Sequence, residues 1–297
     1  EDTYLNSFCF TLRPFDLEEV NPSFSRYLFH SPVYRNSVSA IAQGSTRFNL
    51  SKGAFLKLKV PLPKPKEQQK IASCFSSLDQ LIACYNEKLS TLRDHKKGLL
   101  QNLFPKEGET VPKMRFPEFE GDGKWKLKTL QDVSKITTGN KDTQDKIDDG
   151  KYPFFVRSQT IEKINSYSFD GEAILTSGDG VGVGKIYHYI IGKFDFHQRV
   201  YCIYEFDKDI EGKFIFYFFS EHFYQRVMQL SAKNSVDSVR RAMITEMPIA
   251  LPPTKKEQQK IAFCLSAIDE FITDQKEKIE QLQQEKKGLM QSLFPKK

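Results

Sequence analysis

One stretch of this chain occurs twice, and no other feature constrains the fold as strongly. The first copy reads Lys66-Glu67-Gln68-Gln69-Lys70-Ile71-Ala72 and runs through Lys96-Lys97-Gly98-Leu99 to Leu103-Phe104-Pro105-Lys106. The second reads Lys256-Glu257-Gln258-Gln259-Lys260-Ile261-Ala262 and runs through Lys286-Lys287-Gly288-Leu289 to Leu293-Phe294-Pro295-Lys296. The copies align without a gap at an offset of about 190 residues, with roughly half the positions identical, so the repeat is genuine.

Apolar spacing makes each copy a long helix. Ile71, Phe75, Leu78, Ile82, Tyr85, Leu89, Leu92, Leu99 and Leu103 follow steps of four and three, broken at Lys96. The second seam is Ile261, Leu265, Ile268, Ile272, Gln275, Ile279, Leu282, Leu289 and Leu293, with Lys286 on the same line. So narrow a stripe suits one partner helix, as in a coiled coil. Pro61, Pro63 and Pro65 precede the first helix and Pro105 follows it, which fixes a length on the order of 58 Å. A parallel, in-register pair would bury Lys96 against Lys286 at a cost of several kcal/mol. An antiparallel pair lets each lysine meet the apolar start of the other helix and snorkel outward, with Tyr85 and Gln275 sharing the central layer. The sequence therefore favours an antiparallel coiled coil over two helices packed separately on their own domains.

The 297 residues are enough for two domains, and 39% hydrophobic with 13% aromatic content describes a globular body. No apolar run approaches membrane-spanning length and no signal peptide is present, so a soluble cytoplasmic protein is expected. The five cysteines form no C-x-x-C pair and read as reduced thiols, with Cys74 and Cys264 as packing residues. A net charge of +6 permits a polyanionic partner without requiring one.

Between the repeats, strands are predicted at Lys151 to Arg157, Ala173 to Ser177, Lys185 to Ile191 and Val200 to Glu205, with a helix from Lys213 to Leu230. Ahead of the first repeat come a strand, Ser7 to Leu12, and one helix, about Pro22 to Ile41. Helix and strand mix without βαβ alternation, which is an α+β pattern. By the repeat, the first globular unit should begin about 75 residues before Glu1, so its front half is expected to be missing.

Catalytic motifs are incomplete. Gly178 to Lys185 resembles a phosphate loop, but Asp179 replaces the first glycine and Ile186 the Ser/Thr, and the run leads into a strand. A tight hairpin explains it better. Asn21-Pro22-Ser23-Phe24 lacks the second proline of the amino-methyltransferase motif and reads as a helix entry. Asp209, Glu211 and Lys213 make a generic surface turn, and five histidines without ligand spacing do not suggest a metal site. Polar and basic density in the turns remains: Lys141, Arg157, Ser158, Gln159, Lys185, His188, His197, Gln198, Arg199, Asn234, Ser235, Arg240 and Arg241, with Ser45, Thr46 and Arg47 before the first helix. Arg, Gln and Asn can bond base edges, and Lys and Ser can hold phosphates, although any one of them is as readily a solvated surface group.

At this point the chain resembles the specificity subunits of type I restriction-modification systems. The residues that carry the resemblance are the proline-rich entry and E-Q-Q-K-I at Pro61 to Ile71 and Pro252 to Ile261, and K-K-G-L-x-Q-x-L-F-P at Lys96 to Pro105 and Lys286 to Pro295. The resemblance implies two target-recognition domains, each followed by a long conserved helix. Residues 1–62 would be the rear of the first domain, 63–106 one spacer helix, 107–250 the second domain and 251–297 the other helix. It implies a non-catalytic reader of a bipartite double-stranded DNA target. Modification subunits carrying S-adenosylmethionine and restriction subunits using ATP and magnesium would dock on it, and the chain itself would hold no cofactor. A coiled-coil scaffold, or an S-like region of a DNA methyltransferase or nuclease, are the alternatives.

Overall fold

The computed structural model describes residues 11–42, 50–106, 108–231 and 238–294. The chain forms two compact units: residues 1–91 with 272–297 (unit 1), and residues 92–271 (unit 2). The two repeat helices, Pro65–Leu103 and Lys255–Leu293, have 39 residues each, and each contributes to both units. The expected strand at Ser7 to Leu12 lies outside the described residues except for its last two, which are not in a strand.

Unit 1 opens with α1 (Pro22–His30), which Asn21 caps by accepting from the Phe24 N–H. The single helix expected to Ile41 is broken at Ser31. That residue adopts an extended conformation and caps a second helix, α2 (Pro32–Ile41), whose proline has no N–H to continue the first. A short α3 (Lys52–Leu56) precedes the first long helix, α4 (Pro65–Leu103). Phe24, Tyr27 and Leu28 bury against Ile71, Ala72 and Phe75, together with Phe294 from the other long helix. Each such aromatic contributes about 1.5–3 kcal/mol of burial. Along α4, Phe75 stacks on Phe294, Asp79 bonds Lys286, and the Tyr85 carbonyl accepts from Gln275 Nε2 at 3.1 Å. Numbers rise on one helix as they fall on the other, so these segments run antiparallel.

Unit 2 holds β1 (Lys126–Thr129), β2 (Lys135–Thr138), β3 (Tyr152–Phe155), β4 (Glu162–Ile164), β5 (Phe169–Ser177), β6 (Tyr187–Phe196), β7 (Val200–Tyr204), α5 (Gly212–Leu230), α6 (Arg241–Thr245) and β8 (Pro248–Leu251). The six-stranded sheet has the order β2-β7-β5-β6-β3-β4, and only β3 and β6 pair in parallel. β1 and β8 form a separate antiparallel pair that ties the start of the unit to its end. The central strand β5 is buried on both faces. Ile174 joins the cluster under α5, whereas Ala173 and Leu175 pack with Phe194 and Cys202 on the other side. Alternation therefore fails as a signal there, as expected for a strand covered twice. The hairpin between β5 and β6 is present, with a nine-residue connection rather than a tight turn. The second long helix, α7 (Lys255–Leu293), follows β8. Cys74, expected to pack, is exposed, and Cys264 is half-buried.

The two seam lysines do not snorkel past apolar residues. Lys96 donates to Asp269 at 2.5 Å, and Lys286 pairs with Asp79. Each carboxylate also accepts from a tyrosine hydroxyl: Tyr217 on Asp269 at 2.8 Å, Tyr27 on Asp79 at 2.9 Å. The same three residue types thus form the same constellation in both units. Burial alone would raise the Asp79 carboxyl, but bonds from Lys286 and Tyr27 outweigh it and hold that group below the usual carboxylate range.

Candidate nucleic-acid interface

The exits of β3, β5 and β6 bring several of the sequence-predicted residues together in unit 2. Arg157 follows β3, Asp179 follows β5, and His197-Gln198-Arg199 form the turn from β6 into β7. Arg157 Nη1 donates to Asp179 Oδ1 at 2.9 Å, and Arg199 Nε lies 3.8 Å from Oδ2 of the same carboxylate. One acid thereby orients two guanidinium groups, and the Arg199 side chain remains 66% exposed. A guanidinium has five N–H donors in a fixed fork, so both arginines keep donors for an external acceptor.

His197 supports this turn from inside. Its ring is buried, its Nδ1 accepts from the Arg199 N–H at 2.9 Å, and Nε2 sits 4.0 Å from Asp142. Burial, and then the nearby Arg157 charge, push its pKa down and favour the neutral ring. His188 is likewise buried, with its pKa lowered by burial, and its Nε2 lies 3.0 Å from the Ser158 carbonyl. Gln198 donates through its backbone to the Lys141 carbonyl at 2.8 Å and through Nε2 to Asp142 at 3.2 Å. Lys141 is half-buried and Gln159 exposed.

A further edge comes from α6. The Val239 N–H donates to the Gly178 carbonyl at 2.7 Å, which sets the following Arg240 and Arg241 beside the root of the β5–β6 loop. Both are exposed, and Arg241 Nη2 donates to the Ile136 carbonyl at 2.8 Å. Lys185 lies 4.7 Å over the Tyr224 ring, on α5, and has no direct bond to the Arg157–Asp179–Arg199 group. Ser45, Thr46, Arg47, Asn234 and Ser235 lie outside the described residues.

Sequence reasoning missed Asp179 and Asp142, the carboxylates that set the geometry. In the sequence Asp179 stands out only as a departure from a phosphate loop, and nothing local signals partners 22 and 20 residues away. Of the seam residues, Ile71, Leu89, Ile261, Leu265, Ile272, Gln275, Ile279 and Leu282 are buried, and Leu78, Ile82, Tyr85, Leu92 and Ile268 half-buried. A cavity of about 610 Å³ opens at the end of α4, lined by Phe104, Lys106, Lys113, His222 and Arg226 among others, and shares no residue with the arginine cluster. Arg226 is committed there to the Met243 and Glu246 carbonyls. Among the described residues no group of His, Cys, Asp or Glu is placed to hold a metal ion, and no helix is long and apolar enough to cross a membrane.

A family model described as "Type I restriction modification DNA specificity domain" matches residues 1–93 and 122–284. The chain is 30% identical over 170 residues to the type I restriction enzyme EcoDI specificity subunit of Escherichia coli, an alignment that covers 57% of this chain and 37% of that protein. It is 28% identical over 298 residues to the MjaVIII specificity subunit of Methanocaldococcus jannaschii, covering 90% and 69%. A crystal structure of a type I restriction-modification S subunit from M. genitalium superposes with a TM-score of 0.69 at 14% identity, over 95% of this chain and 75% of that one. A structure from work on assembly and conformational transition of the type I system gives 0.59 at 16%, over 94% and 72%. At those identities the likeness speaks for the fold.

Proposed function

The chain belongs to the family of type I restriction-modification DNA specificity domains, and from that premise we propose that it reads double-stranded DNA through unit 2. The observation that carries this reading is the pair of guanidiniums oriented by Asp179 beside the His197–Arg199 turn. Arginine forks match guanine O6 and N7, and the amides of Gln159 and Gln198 match adenine edges. One good bidentate contact contributes about 1–3 kcal/mol of discrimination. Lys141, Arg240 and Arg241 are suited to phosphates, which position the protein without specifying sequence.

The protein is itself non-catalytic in this reading and works from the cytoplasm. It holds no cofactor, and it hands its target to modification subunits that bind S-adenosylmethionine and to restriction subunits that use ATP and magnesium. The long helices are the surface on which those subunits dock. Titrating the full chain with duplex DNA at several salt concentrations tests the first step. The affinity should fall as salt rises, because each neutralised phosphate releases counterions. Arg199→Ala should weaken sequence preference more than it changes the salt slope. A chain that binds a modification subunit but shows no salt-dependent DNA affinity would be a scaffold instead.

A further inference from the structure

The loop from Gly178 to Lys185 is braced at every point except its apex. The Gly178 N–H donates to the Arg199 carbonyl at 2.7 Å, and Ser177 Oγ donates to the Asp179 carbonyl at 2.6 Å. The Asp179 side chain is held by Arg157 and Arg199. On the far side, the Val183 N–H donates to the Gly180 carbonyl at 3.1 Å, the Lys185 N–H to the Gly182 carbonyl at 3.0 Å, and the Tyr187 hydroxyl to the Gly184 carbonyl. Gly180 and Gly184 take φ of +87° and +71°, a region that favours glycine. Val183 is buried in the core, whereas Val181 stands at the tip with a relative exposure of 107%.

An isolated exposed valine is ordinary on a protein surface. This one differs because a rigid frame presents it and the frame is rooted in the basic cluster. Arg157, Arg199, Arg240, Arg241 and Lys141 gather there against Asp142 and Asp179 among the described residues. A β-branched side chain gains nothing from packing at such an apex and is disfavoured in turns. The basic surface at the root of the loop is matched to a polyanion, and the exposed apolar tip rises from that root.

Resting on the DNA reading proposed above, we infer that Val181 is a specificity-determining residue whose methyl groups contact a thymine 5-methyl in the major groove of duplex DNA. The 5-methyl is the apolar group that base pairs display in that groove, and at about 12 Å the groove is wide enough to admit a loop tip. Val181 would then distinguish thymine from cytosine by contact, while the flanking arginines hold the register.

The test uses the full chain as wild type, Val181→Ser and an Arg157→Ala/Arg199→Ala double variant in selections from randomised duplexes. Wild type should enrich a motif that the double variant fails to enrich. Val181→Ser should keep that motif except for one thymine position, which becomes degenerate. Replacing that thymine by deoxyuridine should weaken wild-type binding about 4-fold, the contribution of one buried methyl-sized group, and leave Val181→Ser unchanged. The salt slope should be the same for both. A Val181→Ser chain with the wild-type motif and the wild-type response to deoxyuridine overturns the inference and leaves DNA reading intact. Altered preference only at positions without thymine also overturns it. A wild-type chain that enriches no motif overturns the reading of function itself. Since Val181 touches no core residue, its replacement should not shift the melting temperature, and a marked shift would contradict the exposed placement on which the inference rests.

Discussion

The two copies of the repeat agree in one layer and part company in another. Tyr27–Asp79–Lys286 and Tyr217–Asp269–Lys96 are the same constellation. The glutamine latch is also duplicated. Gln68 accepts from the Asn21 N–H at 2.9 Å and donates to the Glu19 carbonyl at 2.8 Å, and Gln258 accepts from the Glu211 N–H at 2.9 Å and donates to the Asp209 carbonyl at 3.3 Å. One residue earlier the copies differ. Glu257 is fully buried, accepting from Arg115 Nε and Nη2 at 2.7 Å each and from Trp125 Nε1 at 3.2 Å, whereas Glu67 is exposed. Ile249, Ala250 and Leu251 are buried in β8 against β1, while Lys59, Val60 and Pro61 are exposed and lie in no strand. The shared layer needs only a short helix and the two long ones. The layer that differs needs the segment Arg115 to Thr129, which belongs to unit 2. Identical sequence at Lys-Glu-Gln-Gln-Lys therefore has two physical meanings, set by what covers it.

The sharpest way to break this comparison is to remove the glutamates. Glu257→Ala strands a largely buried guanidinium and a buried indole N–H and should cost unit 2 about 3–5 kcal/mol. Glu67→Ala should stay within about 0.5 kcal/mol. Chemical denaturation of the two variants separates these outcomes, and equal losses would mean the layers do not differ. The aspartates sharpen the other half. Asp79→Ala and Asp269→Ala each lose a lysine and a tyrosine partner and should cost about 1–3 kcal/mol, alike in both copies. Tyr27→Phe and Tyr217→Phe should each cost about 1 kcal/mol, again alike.

Acidity provides the smallest contrasts. The Asp79 pKa is lowered in the folded state, so its contribution is complete above the unfolded value near 3.9 and lost as pH falls through the folded value. Asp79→Asn should therefore flatten the acid limb of the stability curve below about pH 4. In unit 2, His188 and His197 have lowered pKa values. Unfolded chains then bind more protons below about pH 6.5, and stability falls as pH drops from there toward the folded values. Replacing His197 by Gln should remove part of that slope, read from melting temperatures across the range.

Much of this was legible from residues alone. The repeat, the helix lengths and the antiparallel direction follow from seam spacing and from the like charges at Lys96 and Lys286. The strands found from sequence were those rich in β-branched and aromatic residues. β1, β2, β4 and β8 were missed because they are three or four residues long without the aromatic run that marks the equally short β3, and β1 and β2 carry lysine and threonine. Their strand character comes from partners far along the chain, such as Leu251 opposite Lys126. The same limit hid the ion partners of the seam lysines. Asp79 and Asp269 sit one residue past the seam positions Leu78 and Ile268, and only the helix pairing brings a lysine to each. In the candidate interface, Arg157 and Arg199 were chosen for their chemistry, while Asp179, which holds them together, became visible only through the packing of three strand exits.

DNA is expected to lie across the strand exits of unit 2. Photo-crosslinking the full chain to its selected duplex, with thymines replaced by a photoreactive analogue, followed by peptide mapping, locates it. Crosslinks are expected in Arg157 to Ile161, Gly178 to Lys185, His197 to Tyr201 and Val239 to Arg241. Crosslinks confined to the long helices, or to the cavity lined by Lys106, Lys113 and His222, would contradict that placement.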